Sequence, residues 1–170
     1  MRRVIVALAV CAALLMIGST VMAAPKPEGK VELTVEGAIT NTNSDKGLEL
    51  DMAMLEGIGM SVYDGKDPWL GTKKYSGVLI SDILKFAGAT GNVVEVVTVA
   101  KDGKEVVIKI DDVNKFPIML ATKDNNKAIG TGVGGPIKLV FPYTTHPEVE
   151  KVYPKDEWSW YIVTIKVKAQ

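Results

Sequence analysis

Gly134-Gly135-Pro136-Ile137-Lys138-Leu139-Val140-Phe141-Pro142 joins a glycine–glycine–proline turn to an apolar run that a second proline ends. The run predicts a strand over residues 137–141, short and largely buried. Just upstream, Gly130-Thr131-Gly132-Val133-Gly134-Gly135 satisfies the spacing of a dinucleotide fingerprint. That fingerprint works only between a strand and a helix, because the helix N-terminus holds the pyrophosphate. Here Pro136 and a strand follow, so the nucleotide reading fails. Two readings remain for the glycines: a flexible turn, or backbone that approaches an anionic ligand closely.

Working outward, the chain reads as strands with short helices. Val31-Glu32-Leu33-Thr34-Val35 alternates apolar and polar residues, as a half-buried strand does. Residues 41–46 form a polar turn, and 48–57 read as a short helix or as a strand followed by one. Residues 62–75, with Asp67-Pro68-Trp69 between Gly65 and Gly71, read as a loop. Ser81 is the expected N-cap of a helix of about six or seven residues, with Gly88 as its C′ glycine. Residues 93–99 and 105–110 are strands joined by the Asp102-Gly103 turn. Residues 111–115 make a short helical turn, 116–122 a buried strand, 124–127 a polar turn, 143–156 an irregular stretch, and 159–168 a closing strand. The class is α+β, with mixed sheets and no internal repeat.

Residues 1–23 read as a secretory signal peptide: Arg2 and Arg3, an apolar run to Ile17, then Val21-Met22-Ala23 as the cleavage pattern. Residues 24–30 are a linker and 31–170 one domain. The implied location is the periplasm or the exterior. Cys11, the only cysteine, falls in the leader, so the exported part has no disulfide and no thiolate chemistry. Without Arg2 and Arg3 the 20 basic residues become 18 against 20 acidic ones, a net of −2. Nothing in that balance calls for nucleic acid.

His146 is the only histidine, and one imidazole makes neither a metal site nor a hydrolytic triad without partners. Asp111 and Asp112 read as an exposed helix start rather than an acid–base pair. Trp69 and Trp158 lie in or beside loops, where they either stack on a planar heterocycle or pack under the loops. Trp160, on the closing strand, reads as core. Lys138 and Lys155 are cations that can neutralise an anionic group.

Several stretches together resemble the sulfite-oxidase-type molybdopterin-binding domain family. They are residues 75–88 (from Tyr75-Ser76-Gly77-Val78-Leu79 to Ala87-Gly88), Asp102-Gly103, residues 116–122, the Gly134 to Pro142 motif, and the closing segment from Val152 through Trp158 to Val167. The resemblance spans residues 31–167 and implies a sulfite-oxidase-like molybdopterin-binding fold of mixed β-sheets with short helices. In catalytic members a cysteine in the loop before the Gly77-Val78 segment ligates molybdenum, and arginines and histidines hold the pterin phosphate. Residues 62–75 contain no cysteine, the usual arginine of the glycine–proline motif is Lys138, and the exported part has no arginine.

The chain is most similar to the small, exported, stand-alone branch of that family. The branch implies a non-catalytic protein that binds a free pterin, a small heterocyclic ligand, and signals through the periplasmic domain of a membrane receptor. The cofactor expected is then a pterin and not molybdopterin. The pocket residues that the resemblance carries over are Trp69, Gly134, Gly135, Lys138 and Trp158. A molybdenum–molybdopterin oxidoreductase and a ligand-free interaction module are the alternatives.

Overall fold

The computed structural model describes residues 24–170. The leader reading, with Arg2, Arg3 and Cys11, lies outside the described residues. Among the described residues no helix is long and apolar enough to cross a membrane.

Two sheets share one core. The first has the order β2 (Leu48–Leu50), β1 (Leu33–Gly37), β11 (Ile162–Ala169), β5 (Val93–Ala100), β6 (Glu105–Lys109). Only its β1–β11 pair is parallel, with Val35 opposite Ile165. Its outer strands alternate, as β6 shows with Val106 and Ile108 buried and Val107 exposed, while β5 buries Val96, Val97 and Thr98 in a row. One face therefore meets solvent, where Lys166–Glu105 (2.7 Å) and Lys168–Glu95 (2.8 Å) cross between strands.

The second sheet is antiparallel, with the order β10 (Ser159–Trp160), β9 (Lys138–Val140), β7 (Met119–Asp124), β4 (Gly71–Leu79), β3 (Ser61–Asp67); β8 (Lys127–Ala128) adds to β7. Its central strands are buried on both faces: residues 75–78, 119–122 and 138–140 have no exposed member. The chain passes from this sheet to the first at Tyr161, a non-glycine residue at φ 57°. That residue is held from both sides, since its N–H donates to the Gly134 carbonyl and its own carbonyl accepts from Lys101 N–H.

Short helices fill the corners. Helix α1 (Met52–Ile58) starts at Asp51, whose Oδ1 accepts from Met54 N–H at 2.9 Å while Oδ2 accepts from Gly29 N–H at 2.8 Å. Helix α2 (Ile80–Phe86) runs straight out of β4, so Leu79 and not Ser81 is its N-cap, with no side-chain capping bond. The structure corrects the Ser81 expectation because strand β4 continues to the helix without an intervening turn. Its end is as expected: Gly88 sits at φ 64°, with Gly88 N–H on Lys85 O and Ala89 N–H on Leu84 O, a Schellman closure. Helix α3 (Ile110–Lys115) follows β6, and α4 (Val149–Val152) lies in the 143–156 stretch.

The main departure is at residues 61–79. The stretch read as a loop is a long hairpin, β3 against β4 from Ser61↔Gly77 to Asp67↔Gly71, and only residues 68–70 turn. Apart from Val62, its outward side chains are polar, and its strands meet in the buried Tyr75, so residues 61–75 carry no apolar run.

A Cβ at Gly88 would lie 2.3 Å from Thr40 Oγ1, whereas Gly130, at φ −72°, has open space around it. Gly88→Ala is expected to lose about 1–3 kcal/mol. Gly130→Ala should be neutral or gain about 0.4–1 kcal/mol. Urea unfolding of the two variants checks both.

Candidate functional site

The β3–β4 hairpin and strand β9 bring together a buried ion pair. Lys138 Nζ donates to Asp67 Oδ2, and both side chains are 0 % exposed. Tyr75 OH donates to the same oxygen at 2.7 Å, and Lys138 Nζ lies 3.3 Å from that hydroxyl. Asp67 Oδ1 accepts from the N–H groups of Trp69 and Leu70, each at 2.9 Å, which folds the hairpin tip. Both carboxylate oxygens are thus satisfied, as burial of a charge demands.

The electrostatics follow. Burial alone would raise the Asp67 carboxyl, but Lys138, Tyr75 and the two N–H groups hold it below its usual value. Burial drives Lys138 down, opposed by the Asp67 charge. The Tyr75 phenol is pushed far up by burial and by the carboxylate it donates to, so it stays a donor.

Aromatic rings surround the ammonium. Its nitrogen lies 4.9 Å from the Trp160 ring centroid, 5.6 Å from Tyr75 and 5.7 Å from Trp158. Lys138 and Trp160 are direct cross-strand partners on β9 and β10. Trp69 meets Trp160 edge-to-face, with centroids 6.0 Å apart and planes at 86°. Trp160 lies against Gly134, where a Cβ would sit 2.7 Å from the indole Cγ. At Gly135 a Cβ would come within 1.8 Å of the Ile129 carbonyl. Packing inside the protein therefore demands both glycines.

The five residues singled out from the sequence end up in different surroundings. Trp69 stands at the hairpin tip, 50 % exposed. Gly134 backs Trp160. Gly135 borders an open groove. Lys138 and Trp158 are closed off, Trp158 being 1 % exposed among Phe141, Tyr143 and Lys138. Trp160, expected in the core, is the tryptophan half-buried beside Trp69.

The groove beside Gly135 measures about 880 Å³ and is bounded by Tyr161, Pro136, Thr131, Lys101 and Val163. Tyr161 lines it, with its hydroxyl donating to Thr131 O at 2.5 Å and its ring 6.4 Å from Trp160. Sequence reasoning assigned no site role to Tyr161 or Tyr75, and it treated Asp67 only as a loop residue. The Asp-Pro-Trp turn was the one available signal for Asp67.

The remaining candidates lie apart from the ion pair and the groove. His146 is half-buried, edge-on to Phe116 at 5.5 Å, with Thr145 Oγ1 2.9 Å from its Nδ1. Asp112 accepts from Tyr153 OH at 2.6 Å, and Asp111 is exposed. Lys155 borders a smaller cleft with Lys66 and Glu150.

Residues 30–149 match the family model described as the oxidoreductase molybdopterin binding domain. The chain belongs to that family. Among solved structures, the sulfane dehydrogenase SoxCD from Paracoccus pantotrophus is similar, with a TM-score of 0.63 and 15 % identity over 82 % of this chain. The likeness covers 38 % of the SoxCD chain and at this identity speaks for the fold. A search of curated proteins found no match.

The group that the family implies, molybdopterin with its metal, can be tested against the side chains present. Among the described residues there is no cysteine and no arginine. No cluster of three His, Cys, Asp or Glu side chains among them could hold a metal ion. The cation of the glycine–proline motif, Lys138, is spent on Asp67 and sealed from solvent. A soft thiolate ligand and free cations for a phosphate are what such a group needs, and this donor set does not fit it.

Lys138→Met, which strands the Asp67 charge, is expected to lose about 3–5 kcal/mol, and the Asp67→Asn/Lys138→Met double variant to recover most of it. Calorimetry or urea unfolding of the three proteins decides this. The pH dependence has a definite sign. Because the folded pKa of Asp67 lies below its ordinary value of 3.8, its contribution is complete above that pH and is lost as pH falls through the folded value. The stability gap between wild type and Asp67→Asn should therefore narrow below about pH 4.

Proposed function

We propose that this chain is an exported, non-catalytic member of its family that binds a small pterin-like heterocycle and reports it to the periplasmic domain of a membrane receptor. The observation that carries the reading is the replacement of redox donors by an internal ion pair, next to a groove with an aromatic wall. The hairpin where the resemblance places a metal-ligating cysteine is instead locked by Asp67, Tyr75 and Lys138. The groove beside Gly135 and Tyr161, at about 880 Å³, is of a size that takes a small ligand.

Its wall and rim match the chemistry of a pterin. Among its lining residues are an aromatic ring able to stack, Tyr161, and polar groups suited to ring substituents, Thr131, Thr164, Lys101 and Asp102. The heterocycle sits against Tyr161 and not against the buried Trp158. Export rests on the leader read in residues 1–23.

The test is to express the full chain with its leader, purify the exported protein and titrate it with pterin, reading tryptophan fluorescence. Saturable binding is expected, weakened about tenfold in Tyr161→Ala, a loss of about 1.4 kcal/mol. Unchanged affinity in that variant would sink the groove assignment, and no binding by the wild type would sink the ligand class. Molybdenum and molybdopterin recovered from protein made in a molybdenum-replete host would restore the oxidoreductase reading that family membership otherwise favours.

A further inference from the structure

The geometry points to Asp67 and Lys138 as positioning residues for the ligand groove, acting through Trp160 and Gly134 on the wall formed by Gly135, Pro136 and Tyr161. This rests on the groove being the ligand site proposed above, but the linkage itself is visible contact by contact.

Asp67 holds the Lys138 ammonium, and the ammonium lies 4.9 Å from the centre of the Trp160 ring, its cross-strand partner. Trp160 in turn lies against Gly134, with no room for a Cβ between them. The Gly134 carbonyl then accepts from Tyr161 N–H at 3.0 Å, and Tyr161 forms the groove wall. Each link is a direct contact.

Two further observations support a dependence of Trp160 on the ion pair. Its Nε1 is buried without a hydrogen-bond partner, so no directional bond of its own fixes the ring. What holds it is the ammonium, Gly134 and the edge-to-face contacts with Trp69 and Tyr161. Trp69 itself starts from the turn whose N–H groups Asp67 caps. The same carboxylate therefore acts on the indole pair from two directions.

Downstream, Tyr161 occupies a left-handed backbone conformation that costs an aromatic residue energy. Its neighbours must over-determine it, and the Gly134 carbonyl is one of two backbone groups that do so. Freeing Trp160 loosens that constraint at the residue against which the heterocycle stacks.

The experiment uses the full chain carrying Asp67→Asn and Lys138→Met together, which removes both charges and leaves no stranded ion. The introduced asparagine keeps a side-chain oxygen for the Trp69 and Leu70 N–H groups, so the turn survives. The readouts are melting temperature, the near-ultraviolet circular dichroism of the tryptophans, and pterin affinity. A positioning role predicts a cooperative melt, altered tryptophan bands from the Trp69–Trp160 pair, and an affinity about tenfold weaker.

A folded double variant with wild-type bands and wild-type affinity would overturn the inference and leave the pair a purely structural element. If the double variant does not fold, Trp160→Phe and Trp160→Leu decide with the ion pair intact. Phenylalanine, which keeps a ring over the ammonium, should restore most of the affinity that leucine loses, and equal affinity in the two overturns the proposal. If wild type binds no pterin, the functional reading fails on its own, and the circular dichroism of the double variant alone tests the linkage.

Discussion

The Lys138–Asp67 ion pair is the constraint on which the rest of the site depends. Taking two charges out of water costs several kcal/mol each unless geometry and hydrogen bonding return it. Here the return is complete on the carboxylate side: one oxygen holds two backbone N–H groups and the other holds the ammonium and the Tyr75 hydroxyl. The pair ties the tip of the β3–β4 hairpin to β9, a strand separated from that hairpin in the sheet by β7. Because β9 pairs with β10 and the chain leaves β10 at Tyr161 for the other sheet, the pair also sits close to the join between the two sheets.

Family membership and local chemistry part company at this point. The molybdopterin-binding fold is present in its mixed sheets and in the glycine–proline turn, yet that turn is explained by packing. Gly134 makes room for Trp160 and Gly135 for the Ile129 carbonyl. A fold carries function only through the groups placed on it. In this chain the cation of the family's motif, Lys138, is neutralised by Asp67, and the open space lies beside Gly135, Pro136 and Tyr161.

Much of the scaffold was legible because local rules and tertiary packing agree there. The Asp102-Gly103 turn joins β5 to β6, Gly88 ends α2, and the alternation at residues 31–35 marks β1. The hairpin at residues 61–79 was not legible, since its outward side chains are polar apart from Val62 and its burial comes from neighbours distant in sequence. The tryptophans were harder still. Which of Trp158 and Trp160 faces inward depends on a two-residue strand and on a sheet switch at Tyr161, and nothing in Trp160-Tyr161-Ile162 signals a positive φ there. Lys138 looks like a surface cation in its motif, but β9 lies between β10 and β7 and is buried on both faces, so its charge had to find Asp67 71 residues away.

The most direct measurement is a nitrogen-15 NMR spectrum of the lysine ammonium groups while inorganic phosphate is added, with the Lys138 signal assigned by its loss in Lys138→Met. The sequestered pair predicts a slowly exchanging Lys138 ammonium resonance at neutral pH that does not move with phosphate, while exposed lysines such as Lys101 respond. A Lys138 signal that exchanges as fast as the surface lysines, or that shifts with phosphate, would contradict the account, because the cation of the family's motif would then be free to hold an anionic group.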